Sequence, residues 1–79
     1  MGRPKKNQRA LLARYMREAQ KFNDSDLYKQ WEGLSIAIQH FHHSAKDCLA
    51  MEVCGNELIE RNLYTLKELR SLFKKIGEK

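Results

Sequence analysis

The apolar residues between Leu27 and Val53 fall in a regular order. Leu27, Trp31, Leu34, Ile38, Phe41, Ala45 and Cys48 are separated by steps of four, three, four, three, four and three residues. This is the a/d repeat of a helix that packs along its whole length. No charged residue occurs from Gly33 to Ala45, so much of the helical girth there is expected to be buried. At ~1.5 Å per residue the stretch makes a rod about 40 Å long. The pattern predicts one long central helix, about residues 25–53, with Leu34, Ile38 and Phe41 on its buried seam. Gly55 and Asn56 then read as a C-terminal stop.

Before this stretch, Leu11, Leu12, Tyr15, Met16, Ala19 and Phe22 form one apolar face at helical spacing, with Asn7 as a cap. The run Asn23-Asp24-Ser25-Asp26 is a break. With Asn23 as cap, Phe22 and Leu27 occupy the two positions of a hydrophobic staple. So short a connection predicts an antiparallel hairpin of the first two helices. After the stop, Asn56 to Asn62 reads as a short helical turn with Leu58 and Ile59 facing inward. Thr65 with Glu68 makes a capping box and Tyr64 with Leu69 a staple, so a last helix begins at Leu66. Its apolar face is Leu66, Leu69, Leu72, Phe73 and Ile76, and Gly77 ends it.

The expected fold is therefore all-α: a helical hairpin on one long central helix, a short helical turn and a C-terminal helix. Ile36, Ala37, Ala50 and Val53 lie off the a/d seam and call for a further partner. With His40 and His43 they form the expected partner or dimer interface, which makes a dimeric bundle the expected assembly. Gly33 costs up to ~1 kcal/mol of helix stability relative to Ala and marks a close crossing or a kink.

Length and composition narrow the picture. Seventy-nine residues make one domain near the lower limit of independent stability. One proline and four glycines leave little room for a turn-rich β fold. The expected organisation is a flexible basic arm, residues 1–6, followed by a single helical domain, residues 7–79. The longest uncharged run is too short to span a bilayer, and the N-terminus lacks the apolar run of a signal peptide. It begins Met-Gly, but Lys6 stands where a myristoylation signal wants Ser or Thr. The expected location is intracellular, cytoplasmic or nucleoid-associated.

Charge is unevenly spread. The net charge is +5, and residues 1–18 carry six basic groups against Glu18 alone. Residues 19–56 carry three basic and five acidic groups, and residues 57–79 six and four. A surplus at the ends suits a polyanion. The run Gly2-Arg3-Pro4-Lys5-Lys6 resembles the core of an AT-hook, with Met1 where an arginine ordinarily precedes the glycine. The resemblance implies an extended backbone that lays Arg3 in the narrow minor groove of A·T-rich DNA. Arg14, Arg17 and Lys21 form a row opposite the apolar face of the first helix. With Arg3, Lys5, Lys6 and Arg9 they make a candidate edge for phosphate contact.

His40, His42, His43, Cys48 and Cys54 suggest a metal set until placed on a helix. His42 points away from His40 and His43, and Cys54 lies about 16 Å from His43 along the axis. Zinc needs ligands at roughly 2.0–2.3 Å around one point. No metal site and no disulfide is expected within one subunit. No nucleophile–base pair, glycine-rich phosphate loop or carboxylate pair is legible, so neither an enzyme nor a cofactor is expected. Asn56 to Ile76 has the spacing of a helix-turn-helix, but the strong apolar face of its second helix favours packing back on the long one. The expected function is a small nucleic-acid-binding or accessory regulatory protein acting on nucleic acid, duplex DNA first. Its alternative is a module that binds or inhibits a larger protein through the uncharged middle of the long helix.

Overall fold

A computed structural model describes residues 5–78 of the chain, with side chains from residue 9 onward. The described residues form four α-helices and no strand: α1 (Lys5–Lys21), α2 (Asp24–His40), α3 (Ala45–Glu60) and α4 (Leu66–Gly77). The all-α expectation holds. The expected arm lies partly outside the described residues, and its last two, Lys5 and Lys6, are helical rather than extended.

Two helix starts follow the local chemistry foreseen for them. Asn23 is extended, and its Oδ1 accepts the Asp26 N–H at 2.8 Å. At α4, Thr65 Oγ1 accepts the Glu68 N–H at 3.1 Å while Glu68 Oε1 accepts the Thr65 N–H at 2.8 Å. Each satisfies amide groups that the first helical turn leaves without a partner.

The long central helix does not form. The chain leaves helix after His40, and Phe41 to Ser44 link α2 to α3. Ser44 is extended, and its N–H donates to Asp47 Oδ2 at 3.0 Å, a half of a capping box written in the sequence as Ser-Ala-Lys-Asp. The reversal folds α3 back onto α2 and leaves Ala45 and Cys48, the last members of the repeat, exposed. Leu27 and Trp31 of α2 meet Val53, Cys54 and Leu58 of α3, with Ala19 and Leu69 completing the core. A straight rod would hold Leu27 and Leu58 far apart. Folded together, both are fully buried, each contributing about 1.5–3 kcal/mol. The seam accordingly fades along α2: Leu34 and Ile38 are half-buried, and Phe41, expected in the core, is 69% exposed.

Gly55 and Asn56 do not stop a helix either. Helix α3 runs through them to Glu60, and the expected separate turn from Asn56 is its last turn, with Leu58 inward. The smallness of Gly55 serves packing: a Cβ there would lie 3.2 Å from Trp31 Nε1. The actual stop is Asn62, at φ 62°. Its N–H donates to Ile59 O at 2.9 Å, and the Leu63 N–H to Leu58 O at 3.0 Å. This is a Schellman motif with asparagine in the left-handed position, which asparagine tolerates better than most residues.

The contacts set the helix directions. Trp31 lies on Gly55 and Ser35 Oγ reaches Met51 Sδ at 3.4 Å, so α2 and α3 are antiparallel. Leu11 and Leu12 share a groove with Ala45 and Leu49, so α1 runs parallel to α3. The short Phe22–Asn23 link reverses the chain as foreseen, but α1 packs chiefly on α3 rather than on α2. Helix α4 lies on α2, where Gln39 Nε2 donates to Phe73 O at 2.7 Å. Arg61 pins three elements together. Its guanidinium reaches Asp24 at 2.9 Å, Glu57 at 3.0 Å and the carbonyls of Ala19 and Gln20 at 3.2 Å. The last two lie in the final turn of α1, where Ala19 O also accepts the Phe22 N–H at 3.2 Å.

Candidate nucleic-acid interface

Arg14, Arg17 and Lys21 recur at steps of three and four on α1, so one face of that helix carries them, and all three are exposed. Arg9 is exposed one turn earlier, at the lip of the groove between α1 and α3. Arg14 Nε lies 3.5 Å from Glu18, an exposed pair of the kind that water and salt screen. Among the described residues, Arg9, Arg17 and Lys21 make no ion pair within 4.0 Å. Lys5 and Lys6 fall in the first turn of α1, and Arg3 lies outside the described residues.

The helix directions sort the charges into two poles. One pole gathers the start of α1, the end of α2, the start of α3 and the end of α4. There Gln39 and His40 of α2 both reach the last turns of α4, His40 Nε2 lying 2.6 Å from Ile76 O. This pole carries Arg9, Lys46, Lys74 and Lys75, all exposed, together with His40, His42 and His43. Of its carboxylates, Asp47 is engaged with the Ser44 N–H, leaving Glu52 and Glu78. The opposite pole carries Asp24, Asp26, Glu57, Glu60 and Glu68, interspersed with exposed Lys29 and Lys67 and with Arg61 already paired there. Lys21 sits at this acidic pole, because Arg61 joins Gln20 to Asp24. The basic row on α1 therefore starts where basic groups predominate and ends where acidic and basic groups are mixed.

The six residues expected at a partner interface are not brought to one face. Val53 is 5% exposed, inside the monomer's own core. Ala50 is half-buried and lines a recess with Tyr15, Phe22 and Leu34, so α1 supplies the cover that a second subunit was expected to give. Ile36 is 38% exposed and Ala37 half-buried on α2. His40 is exposed at its contact with α4, and His43 is exposed in the link.

Cys48 is exposed and Cys54 buried, both as free thiols, and burial pushes the Cys54 thiol up. Among the described residues no three of His, Cys, Asp and Glu gather around a common point.

Sequence reasoning passed over two groups. Lys46, Lys74 and Lys75 join the basic pole only because of the reversal at 41–44, and the Ser44–Asp47 pair was the local signal for that reversal. Nothing in the sequence singles out Arg61, whose partners lie up to 42 residues away. No protein-family profile matches the chain, and neither a curated protein nor a solved structure does so.

Proposed function

We propose that this is a small nucleic-acid-binding or accessory regulatory protein. It contacts the phosphate backbone through the N-terminal segment and α1, with Arg3, Lys5, Lys6, Arg9, Arg14, Arg17 and Lys21 as the contact set. The observation carrying this reading is the segregation of charge. The chain enters the bundle at the pole where Arg9, Lys46, Lys74 and Lys75 project, while five of the ten carboxylates, Asp24, Asp26, Glu57, Glu60 and Glu68, collect at the other. A field of one sign over one pole orients and concentrates a polyanion. Lys21, beside the acidic pole, is the weakest member of the set.

The test is fluorescence anisotropy with duplex DNA, single-stranded DNA and RNA across a salt series. Each phosphate contact contributes about 0.9 to the log–log salt slope on duplex DNA. Neutralising Arg9, Arg14 and Arg17 together is expected to lower affinity for all sequences alike and to reduce the slope by about three. Binding no tighter than that of an unrelated protein of equal charge overturns the reading.

A second reading, a protein-interaction module that binds or inhibits a larger partner through the uncharged stretch expected in the middle of a long helix, draws on Ile36 and Phe41. Both are exposed within the uncharged stretch 33–45. Its test is deletion of residues 1–6, which should spare partner binding; the homodimer is tested separately by sedimentation velocity over a concentration series, where a concentration-independent monomer mass excludes it.

A further inference from the structure

Phe41 is the most exposed large apolar side chain among the described residues, at 69%. It is the C-cap of α2, and His42, His43 and Ser44 follow it, all exposed. The link therefore presents one phenyl and two imidazole rings outward at a chain reversal. Core packing does not require this aromatic, since the core is complete without it. The link also lies in the middle of the basic pole. Lys46 follows it in the first turn of α3, with Arg9 across the groove from Lys46. Lys74 and Lys75 precede Ile76, whose carbonyl meets His40, the residue before Phe41.

We propose that the Phe41–His43 link is a base-stacking platform and that the nucleic acid it takes is single-stranded. The inference rests on the reading given under Proposed function and narrows it. A flat apolar ring standing in water at the pole that carries Arg9, Lys46, Lys74 and Lys75 matches what unpaired bases require: a π-face to stack on and positive charge to follow the backbone. A duplex offers no such face, because its bases are already stacked on one another. Phe41 supplies the stack, His42 and His43 adjoin it, and Arg9, Lys46, Lys74 and Lys75 hold phosphates on either side. Base stacking tolerates every base, so the platform binds without reading sequence.

The experiment compares wild type, Phe41→Ala, Phe41→Trp and the double variant Lys74→Gln/Lys75→Gln. Binding is measured by anisotropy on oligo-dT, on oligo-U and on a duplex of equal length. Phe41→Ala is expected to weaken single-strand binding by roughly 5- to 150-fold, the span of one base–aromatic stack. The salt slope stays unchanged because no charge is removed, and duplex affinity moves by less than about twofold. Loss on either single strand supports the proposal and identifies the sugar preferred. Phe41→Trp restores binding, and its exposed indole is quenched by single strands and not by duplex. The lysine pair lowers the single-strand slope by about 1.4, at ~0.7 per contact. Since Phe41 is exposed, the melting curve of Phe41→Ala should overlay that of wild type, which separates a lost stack from a lost fold. Unchanged single-strand affinity in Phe41→Ala, or an equal loss on duplex, overturns the proposal. If the α1 variants lose binding while Phe41→Ala does not, the platform fails and the broader reading stands. If no strand binds above the charge-matched control, both fail.

Discussion

Two glycines in two helices offer a controlled pair of perturbations. Gly33 lies within α2 and Gly55 within α3. In an exposed helix interior, Gly→Ala stabilises by about 0.8–1 kcal/mol, since alanine orders less backbone freedom on folding. At Gly33 nothing lies within 4 Å of the added Cβ, so the full gain is expected. At Gly55 the same Cβ meets Trp31 Nε1 at 3.2 Å, Trp31 Cδ1 at 3.4 Å and Leu69 Cδ1 at 3.6 Å. Trp31 is 3% exposed and Leu69 4%, and Tyr28 holds the indole from another side at a centroid distance of 5.8 Å. The indole has little room to retreat, and overpacking of this kind costs about 1–3 kcal/mol. The propensity gain is thus outweighed, leaving Gly55→Ala about 1 kcal/mol less stable than wild type. For a domain of this size 1 kcal/mol moves Tm by about 4–8 °C. Gly33→Ala should melt that much higher and Gly55→Ala that much lower, followed by circular dichroism at 222 nm. The difference between the two variants isolates the Trp31 contact, because the helix term is common to both. Equal shifts of the same sign would refute the packing role assigned to Gly55.

Leu58→Ala, at a fully buried site, should cost about 2–5 kcal/mol and leave a chain unfolded or nearly so by urea titration. Thr65→Ala, which removes a cap made at 3.1 Å, should cost about 0.5–2 kcal/mol, read as a lower urea midpoint. Arg61→Lys should destabilise less than Arg61→Ala yet still measurably, since an ammonium cannot span Asp24, Glu57 and two carbonyls at once; denaturation of both variants side by side checks the order. Burial raises the Cys54 thiol above its ordinary 9.0, and Tyr28 stands above 10.0 through burial first and then Glu32 and Tyr64. Groups raised in the native state ionise sooner in the unfolded one. Their stabilisation is therefore complete below about pH 9 and is lost as pH rises through the native values. Urea midpoints should fall between pH 8.5 and pH 10.5, less steeply in Cys54→Ala. With a thiol reagent at neutral pH, Cys48 should react at once and Cys54 only as the chain unfolds.

What the sequence determined by itself is local. The Asn23 cap, the Thr65–Glu68 box and the start of α4 at Leu66 each depend on groups within a few residues of one another, so their chemistry can be read in order along the chain. The apolar faces of α1 and α4 are legible in part for the same reason: Leu11, Tyr15, Ala19 and Phe22, and Leu69, Leu72, Phe73 and Ile76, turn inward, while Leu12, Met16 and Leu66 of the expected faces are exposed. The reversal at Phe41–Ser44 is different. An a/d repeat states that a seam is buried without saying whether the cover is another chain or a later stretch of the same one. The uncharged stretch 33–45 looked like burial because polar, uncharged histidines and a serine carry no charge to betray a link. Only the tertiary structure decided between a rod and a hairpin, since folding α3 back onto α2 buries Leu27, Trp31 and Leu58 together. That one choice moved Phe41 from the core to the surface and Gly55 from a helix stop to a packing site. It also took Val53 into the monomer's own core and carried Lys46, Lys74 and Lys75 to the pole where Arg9 stands. Charge along the chain is a property of the sequence. Charge in space depends on which helix ends meet, and that is set by apolar packing between residues far apart in the chain.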